Sequence, residues 1–196
     1  MSRFLRFALC VLGLASAVLF TVGPSQANAI GLFQKSMGPV PRGLPGPEEI
    51  DFPKKFATGT IVVVVKHRRL YYVTKRGRAI RYVVGVGREG MSWKGTAQIA
   101  RKAEWPSWTP PAEMRVRARK KGVFLPDQLD GGRNNPLGAR ALYLYKNGKD
   151  TLYRIHGTNE PWNLGQAVTA GCIRMLNHHV ADLYKRVKIG TTVIVM

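Results

Sequence analysis

Two side chains able to do nucleophilic chemistry lie close together near the end of this chain, in the run YRIHGTNEPWNLGQAVTAGCIR from Tyr153 to Arg174. His156 is followed by Gly157, and Cys172 is preceded by Gly171 and followed by Ile173 and Arg174. A thiol and an imidazole are what acyl transfer through a covalent intermediate requires. The sulfur attacks as thiolate, and the imidazole takes its proton and later returns one to a leaving group. Order and spacing matter as well: the His ends an apolar, strand-like run, whereas the Cys sits in a polar loop just ahead of a helical pattern.

The front of the chain bears on how that thiol is kept. Arg3 and Arg6 precede an apolar run from Phe7 to Val22, Gly23 and Pro24 break it, and Ala27-Asn28-Ala29 has the small-x-small form of a cleavage site. Residues 1–29 are therefore expected to be a signal peptide cut after Ala29 and directing export to the periplasm. The apolar run is shorter than the ~20 residues a spanning helix needs, so membrane contact is expected only through the cleaved segment. Cys10 leaves with it, and Cys172 remains without a partner in a compartment where thiols are usually paired, a sign of reactivity. With 31 Lys and Arg against 11 Asp and Glu, the formal net charge is +20. Such a surface draws polyanions. For an exported protein those are wall polymers, carboxylate-bearing peptides and lipid head groups, and no nucleic-acid-binding motif is present.

These residues need a scaffold to position them. Residues 30–57 are rich in Pro and Gly without a period and are expected to be an extended linker. Ile61–Val65, Leu70–Val73 and Ala79–Val86 then predict a three-stranded meander, and Thr96–Lys102 a further strand. The prolines of Trp105–Pro111 exclude a central strand, and Ala112–Lys121 predicts a short basic helix. Ala141–Tyr145 and Thr151–Ile155 flank Asn147-Gly148, a strong hairpin signal, and this hairpin delivers His156 at its exit. Val180, Leu183, Tyr184 and Val187 define one apolar helical face, with Asn177 as the expected N-cap, and Thr192–Met196 is a closing strand. The pattern is mainly β with one well-defined helix in the C-terminal region, after the Cys.

The segments IHGT and TAGCIRMLN, with the GTTVIV strand, resemble the YkuD family of L,D-transpeptidases. The likeness extends back through GTIVVVV, LYYV, VGVGREG, KAEWPSWTPP and NPLGARALYLY, so a catalytic domain is expected over residues 58–196. The resemblance implies a β-sandwich of mixed sheets and a metal-free, cofactor-free enzyme acting on peptidoglycan stem peptides. Its acyl acceptor would be a stem amine, water or an envelope protein. It implies Cys172 as nucleophile, His156 as base, the Gly157 carbonyl orienting the imidazole, and amides of Gly171 and Cys172 as oxyanion donors. Substrate contacts are expected from Arg174, Thr158, Trp162 and Thr169; Trp162 also lies in the loop between His and Cys, where an aromatic could line a groove. Thr169-Ala170 stands where many members carry Ser-His, leaving the thiolate with less support. His178 and His179 are not expected to bind metal, because neighbouring side chains on a helix diverge.

Overall fold

The structure is a computed structural model and describes residues 43–196. The expected signal peptide and the first part of the expected linker, residues 30–42, lie outside the described residues. No helix among the described residues is long and apolar enough to cross a membrane.

Eleven strands carry the fold. β1 is Glu48–Asp51, β2 Ile61–Val64, β3 Arg69–Lys75, β4 Arg78–Val83, β5 Val86–Gly87 and β6 Gly95–Glu104. β7 is Arg140–Lys146, β8 Lys149–His156, β9 Ala167–Thr169, β10 Ile173–Arg174 and β11 Thr192–Val195. Among the described residues two α-helices accompany them, α1 at Ala112–Arg119 and α2 at Asn177–Arg186. Nine strands form one mixed sheet in the order β1-β4-β3-β2-β11-β6-β7-β8-β10, and β5 pairs with β9 apart from it. Beyond β10, Arg174 exchanges two backbone hydrogen bonds with Gly85, of 2.9 and 2.8 Å. Gly85 lies just past β4, so the sheet folds over until its far end meets its beginning. The expected mainly-β, sandwich-like architecture is the one observed.

The centre of the sheet explains its most apolar strands. β2 lies between β3 and β11, and Ile61, Val62 and Val63 are fully buried. Strands covered on both faces read as continuous β-branched runs. β11 enters between β2, to which it is parallel, and β6, to which it is antiparallel. The last strand in sequence thus closes the middle of the sheet. The Asn147-Gly148 turn forms as expected, with φ of 51° and 73°, the positive values that a two-residue hairpin demands.

Two expectations change. Residues 48–51 do not extend free of the domain. They form edge strand β1 on β4, with Arg81 bonded to Glu48 at 2.5 Å and Arg78 to Asp51 at 2.8 Å. The acids of Glu48-Glu49-Ile50-Asp51 lie over the cations of β4, a charge match that Pro/Gly composition hides. Asn177 is not the cap of α2: it is the first helical residue, Leu176 stands ahead of it, and no side chain caps the helix. The other end of α2 is closed by Lys102 of β6, whose Nζ donates to the carbonyls of Tyr184 and Val187 at 2.7 Å each. A cation there suits the helix dipole.

Between β6 and β7 the chain makes a long excursion. At its base Asn135 is buried, with Nδ2 within 2.9–3.1 Å of the Pro106, Leu129 and Asp130 carbonyls. The basic helix α1 lies on this excursion and buries none of its residues.

Candidate active site

The core under α2 builds the site. Val180, Leu183 and Val187 pack with Leu142, Leu144 and Ile155, which seats α2 against β7 and β8. β10 then runs parallel to β8, with Ile173 opposite Ile155 and Arg174 opposite His156. Ile155 and Ile173 enter the core, so the opposite side of the pair presents His156 and Arg174. Cys172, two residues before Arg174, comes to that same side, level with Arg154. This register joins a strand end and a loop sixteen residues apart in sequence.

His156 is 3% exposed, and its Nδ1 lies 2.6 Å from the Gly157 carbonyl. A carbonyl only accepts, so Nδ1 carries the proton and Nε2 keeps its lone pair available as a base. Burial, with the nearby Arg174 and Arg154 charges, pushes the imidazolium pKa down to about 3, against the opposing pull of the Gly157 carbonyl. Cys172 is half-buried and is the free cysteine among the described residues. Burial pushes its thiol up, outweighing the Arg154 amide and the Arg154 and Arg174 charges that favour thiolate. Sγ lies 3.9 Å from the Leu152 carbonyl, and no hydrogen bond joins it to His156. Both shifts leave the thiol and the imidazole uncharged at neutral pH.

Other expected residues are present in altered roles. The Gly171 amide, expected as an oxyanion donor, is directed at Thr169 Oγ1 at 3.1 Å, while that hydroxyl donates to the Cys172 carbonyl at 2.7 Å. Thr169 therefore staples the Cys172 loop, and the Gly171 amide is engaged within it. Arg174 meets a carboxylate within the chain: Nη1 lies 2.6 Å from Glu160 Oε2. That pairing ties the His–Cys loop to β10 through Nη1, while Nε is buried without a partner. Thr158 is buried, its hydroxyl accepting from the Glu160 amide at 2.9 Å. Trp162 sits half-buried on the short 3-10 turn Pro161–Asn163. The His178 and His179 rings lie 4.3 Å apart in an edge contact instead of diverging.

Several positioning residues were missed from sequence. Asn177 Oδ1 accepts from the Ala139 amide at 3.0 Å and the Thr158 amide at 3.1 Å, and Nδ2 donates to the Thr158 carbonyl at 3.0 Å. Gly138 and Gly157 pack so tightly on this side chain that a methyl on either would overlap it. The Asn in GCIRMLN and the Gly in NPLGA were visible, but no local pattern ties them together. Tyr153 stacks on Trp93, ring centroids 5.9 Å apart, and its edge covers Gly171. Gly171 has φ of 120°, and a methyl there would overlap Tyr153 and crowd the Met91 carbonyl. Gly171→Ala is accordingly expected to displace Cys172 and cut acylation about 10²-fold, the scale of a 1 Å misplacement. Acyl-enzyme formation rates, compared at matched folded fraction, check this; an unchanged rate contradicts it.

Comparison with known proteins follows the same lines. The YkuD model, L,D-transpeptidase catalytic domain, matches residues 58–195. The "Probable L,D-transpeptidase YbiS" of Escherichia coli (strain K12) is 32% identical over 151 residues, covering 75% of this chain and 47% of that protein. The "Probable L,D-transpeptidase ErfK/SrfK" of the same strain is 33% identical over 151 residues, covering 75% and 46%. The chain spans about half the length of these curated relatives. A crystal structure from Brucella melitensis, described as a probable carnitine operon oxidoreductase, is 43% identical, covers 80% of this chain and 95% of that one, and has a TM-score of 0.52. The catalytic domain of the Enterococcus faecium L,D-transpeptidase acylated by ertapenem shares the fold at 16% identity and TM-score 0.52, covering 72% and 98%. By the span of the family match and the identity of its relatives, the chain belongs to the L,D-transpeptidase catalytic domain (YkuD) family.

Proposed function

We propose that this chain is an exported cysteine L,D-transpeptidase that forms 3→3 cross-links between peptidoglycan stems, with residues 1–29 removed on export to the periplasm. The observation that carries this reading is the parallel β8–β10 register, which brings Cys172 to the side of β8 bearing His156. The thiol attacks the carbonyl of the third stem residue while Nε2 of His156 takes its proton. The Cys172 amide steadies the resulting oxyanion. Collapse breaks the amide bond, the departing D-residue amine receives the proton from His156, and a thioester remains on Cys172. An acceptor amine then attacks the thioester, gives a proton to the imidazole and restores the thiol. Incubation with defined disaccharide-tetrapeptides tests this by mass spectrometry. Cross-linked dimer with loss of the terminal D-residue is the expected product; tripeptide alone indicates water as acceptor, and unchanged substrate contradicts the reading.

The electrostatics set the pH dependence. An ordinary imidazole titrates at about 6.5 and would impose an acid limb there. Burial lowers that limb in this site, because His156 stays neutral down to about pH 3. With the Cys172 thiol pushed up, the expected profile of acylation is a plateau from about pH 5 to 8. An acid limb near pH 6.5 contradicts it. Stability moves separately. The unfolded chain protonates His156 below about 6.5 while the folded chain does not, so stability is lost as pH falls from there toward 3. His179, lowered to about 4 by burial first and by His178 second, adds loss in the same direction.

A further inference from the structure

Strand β8 carries a distortion that the proposed chemistry does not by itself require. Tyr143 of β7 pairs with Arg154 and Tyr145 with Asp150, so one residue of β7 stands opposite three of β8. Within this bulge Leu152 has φ of 62° although its side chain is 76% exposed. A left-handed conformation is strained for a leucine, and so little packing gives it no reason to adopt that shape. Its neighbours do. Asp150 Oδ1 accepts from the Leu152 amide at 2.8 Å, and both carboxylate oxygens bind Arg154, at 2.7 and 2.8 Å. Thr151 Oγ1 donates to the Leu144 carbonyl at 2.6 Å and accepts from the Tyr153 amide at 3.2 Å. Strain held by a surrounding network is found where geometry serves a site. Here the outcome of the strain is that the Leu152 carbonyl faces Cys172 Sγ at 3.9 Å.

We infer that Asp150 is a positioning residue, holding the bulge so that the Leu152 carbonyl forms a seat for the protonated thiol of Cys172. A carbonyl accepts but does not donate, so it favours S–H over S⁻ and keeps the sulfur quiet until substrate is present. The other charged groups around the sulfur are Arg154 of β8 and Arg174 of β10. Asp150 neutralises the first and Glu160 the second, at 2.7 and 2.6 Å. His156 shares the strand face, and from the loop after β5 it is the Met91 carbonyl that approaches Gly171. Burial would raise the Asp150 carboxyl, but Arg154 and the Leu152 amide hold it below the usual range, so the clamp stays charged at neutral pH. Releasing it would withdraw the carbonyl and leave Arg154 uncompensated beside the sulfur, two changes that both favour thiolate.

The role of the seat rests on Cys172 being the nucleophile, but its test needs no substrate. The rate of Cys172 alkylation by iodoacetamide is measured against pH for the full mature chain and three variants, with thermal unfolding recorded for each. Asp150→Ala is expected to move the thiol midpoint down by about one unit, alkylating about tenfold faster at pH 7. Asp150→Asn, which keeps an acceptor for the Leu152 amide and loses the charge on Arg154, falls between wild type and Asp150→Ala, and it decides the matter should the alanine variant unfold. Leu152→Gly retains the carbonyl and accepts positive φ without strain, so its midpoint stays at the wild-type value. An unmoved midpoint in the folded Asp150 variants, or an equal shift in Leu152→Gly, overturns the inference. A wild-type protein that alkylates as described yet forms no acyl-enzyme would overturn the proposed function and leave the seat standing.

Discussion

Replacing Cys172 by Ala is expected to abolish acyl transfer, a fall of at least about 10⁴-fold in turnover, because no other group can carry the acyl chain between donor and acceptor. The fold should survive. Cys172 is only half-buried, forms no disulfide among the described residues and donates only a long hydrogen bond, to the Leu152 carbonyl. Thermal unfolding within a few degrees of wild type is therefore expected, and product formation by mass spectrometry checks the activity. His156→Ala should retain slightly more, falling about 10²–10⁴-fold, since it removes proton transfer and leaves the nucleophile in place. A Cys172→Ala protein that still turns over stem peptides contradicts the mechanism outright.

The second large effect is expected at a side chain that takes no part in the proposed chemistry. Asn177→Ala strands the amides of Ala139 and Thr158 and the Thr158 carbonyl, all served by that one side chain. Each lost partner of a buried backbone group costs about 1–3 kcal/mol. Destabilisation of about 3 kcal/mol or more follows, lowering the unfolding temperature by about 6–12 °C for a domain of this size. The Thr158 loop begins at His156, so acylation should fall as well. Asn177→Asp keeps the acceptor and loses the donor, and its unfolding temperature should lie between the two. Calorimetry on the three proteins checks the order; an alanine variant as stable as wild type contradicts the clamp.

The contrast between these two residues shows what the amino-acid order makes legible. Cys172 and His156 stand out because few residue types do nucleophilic chemistry and because Gly neighbours flank both. The meander from Ile61, the Asn147-Gly148 hairpin and the helix through Val180 and Leu183 are legible for a similar reason: each is written in a local period or turn preference. Asn177 is not. An Asn ahead of an apolar helical face reads as a cap, and only the tertiary approach of Gly138 and Gly157 turns its side chain toward Thr158 instead. Strand β1 hides because its signal is a charge match with Arg78 and Arg81 across the sheet, not a pattern of its own. β11 is readable as a strand, but its place at the centre of the sheet depends on pairings with β2 and β6 from the other end of the domain. The bulge at Leu152 is hidden for the opposite reason: DTLYRIH alternates well enough to pass for a regular strand. The acid limb shifts for a physical cause of the same kind, since burial of His156 comes from the packing of β8 and not from its neighbours in sequence.

Charge separates into two populations. Arg154, Arg174, Arg78 and Arg81 each meet a carboxylate, and the first two shape the electrostatics of the thiol and imidazole. Exposed ion pairs such as those on β1 contribute little each, about 0–1 kcal/mol. The remaining excess of cations, including Arg117 and Arg119 of α1, gives the surface its strong positive sign, which would draw an anionic polymer such as the proposed wall substrate through long-range attraction.

Intact-mass measurement of the protein after exposure to a carbapenem tests the proposed nucleophile most directly, because opening of the β-lactam would repeat the proposed acylation step at the sulfur. The expected result is a gain of one carbapenem equivalent on the wild-type chain and none on Cys172→Ala. A wild-type mass left unchanged, or an adduct that persists when Cys172 is gone, would contradict the assignment of Cys172 as the group that carries the acyl chain.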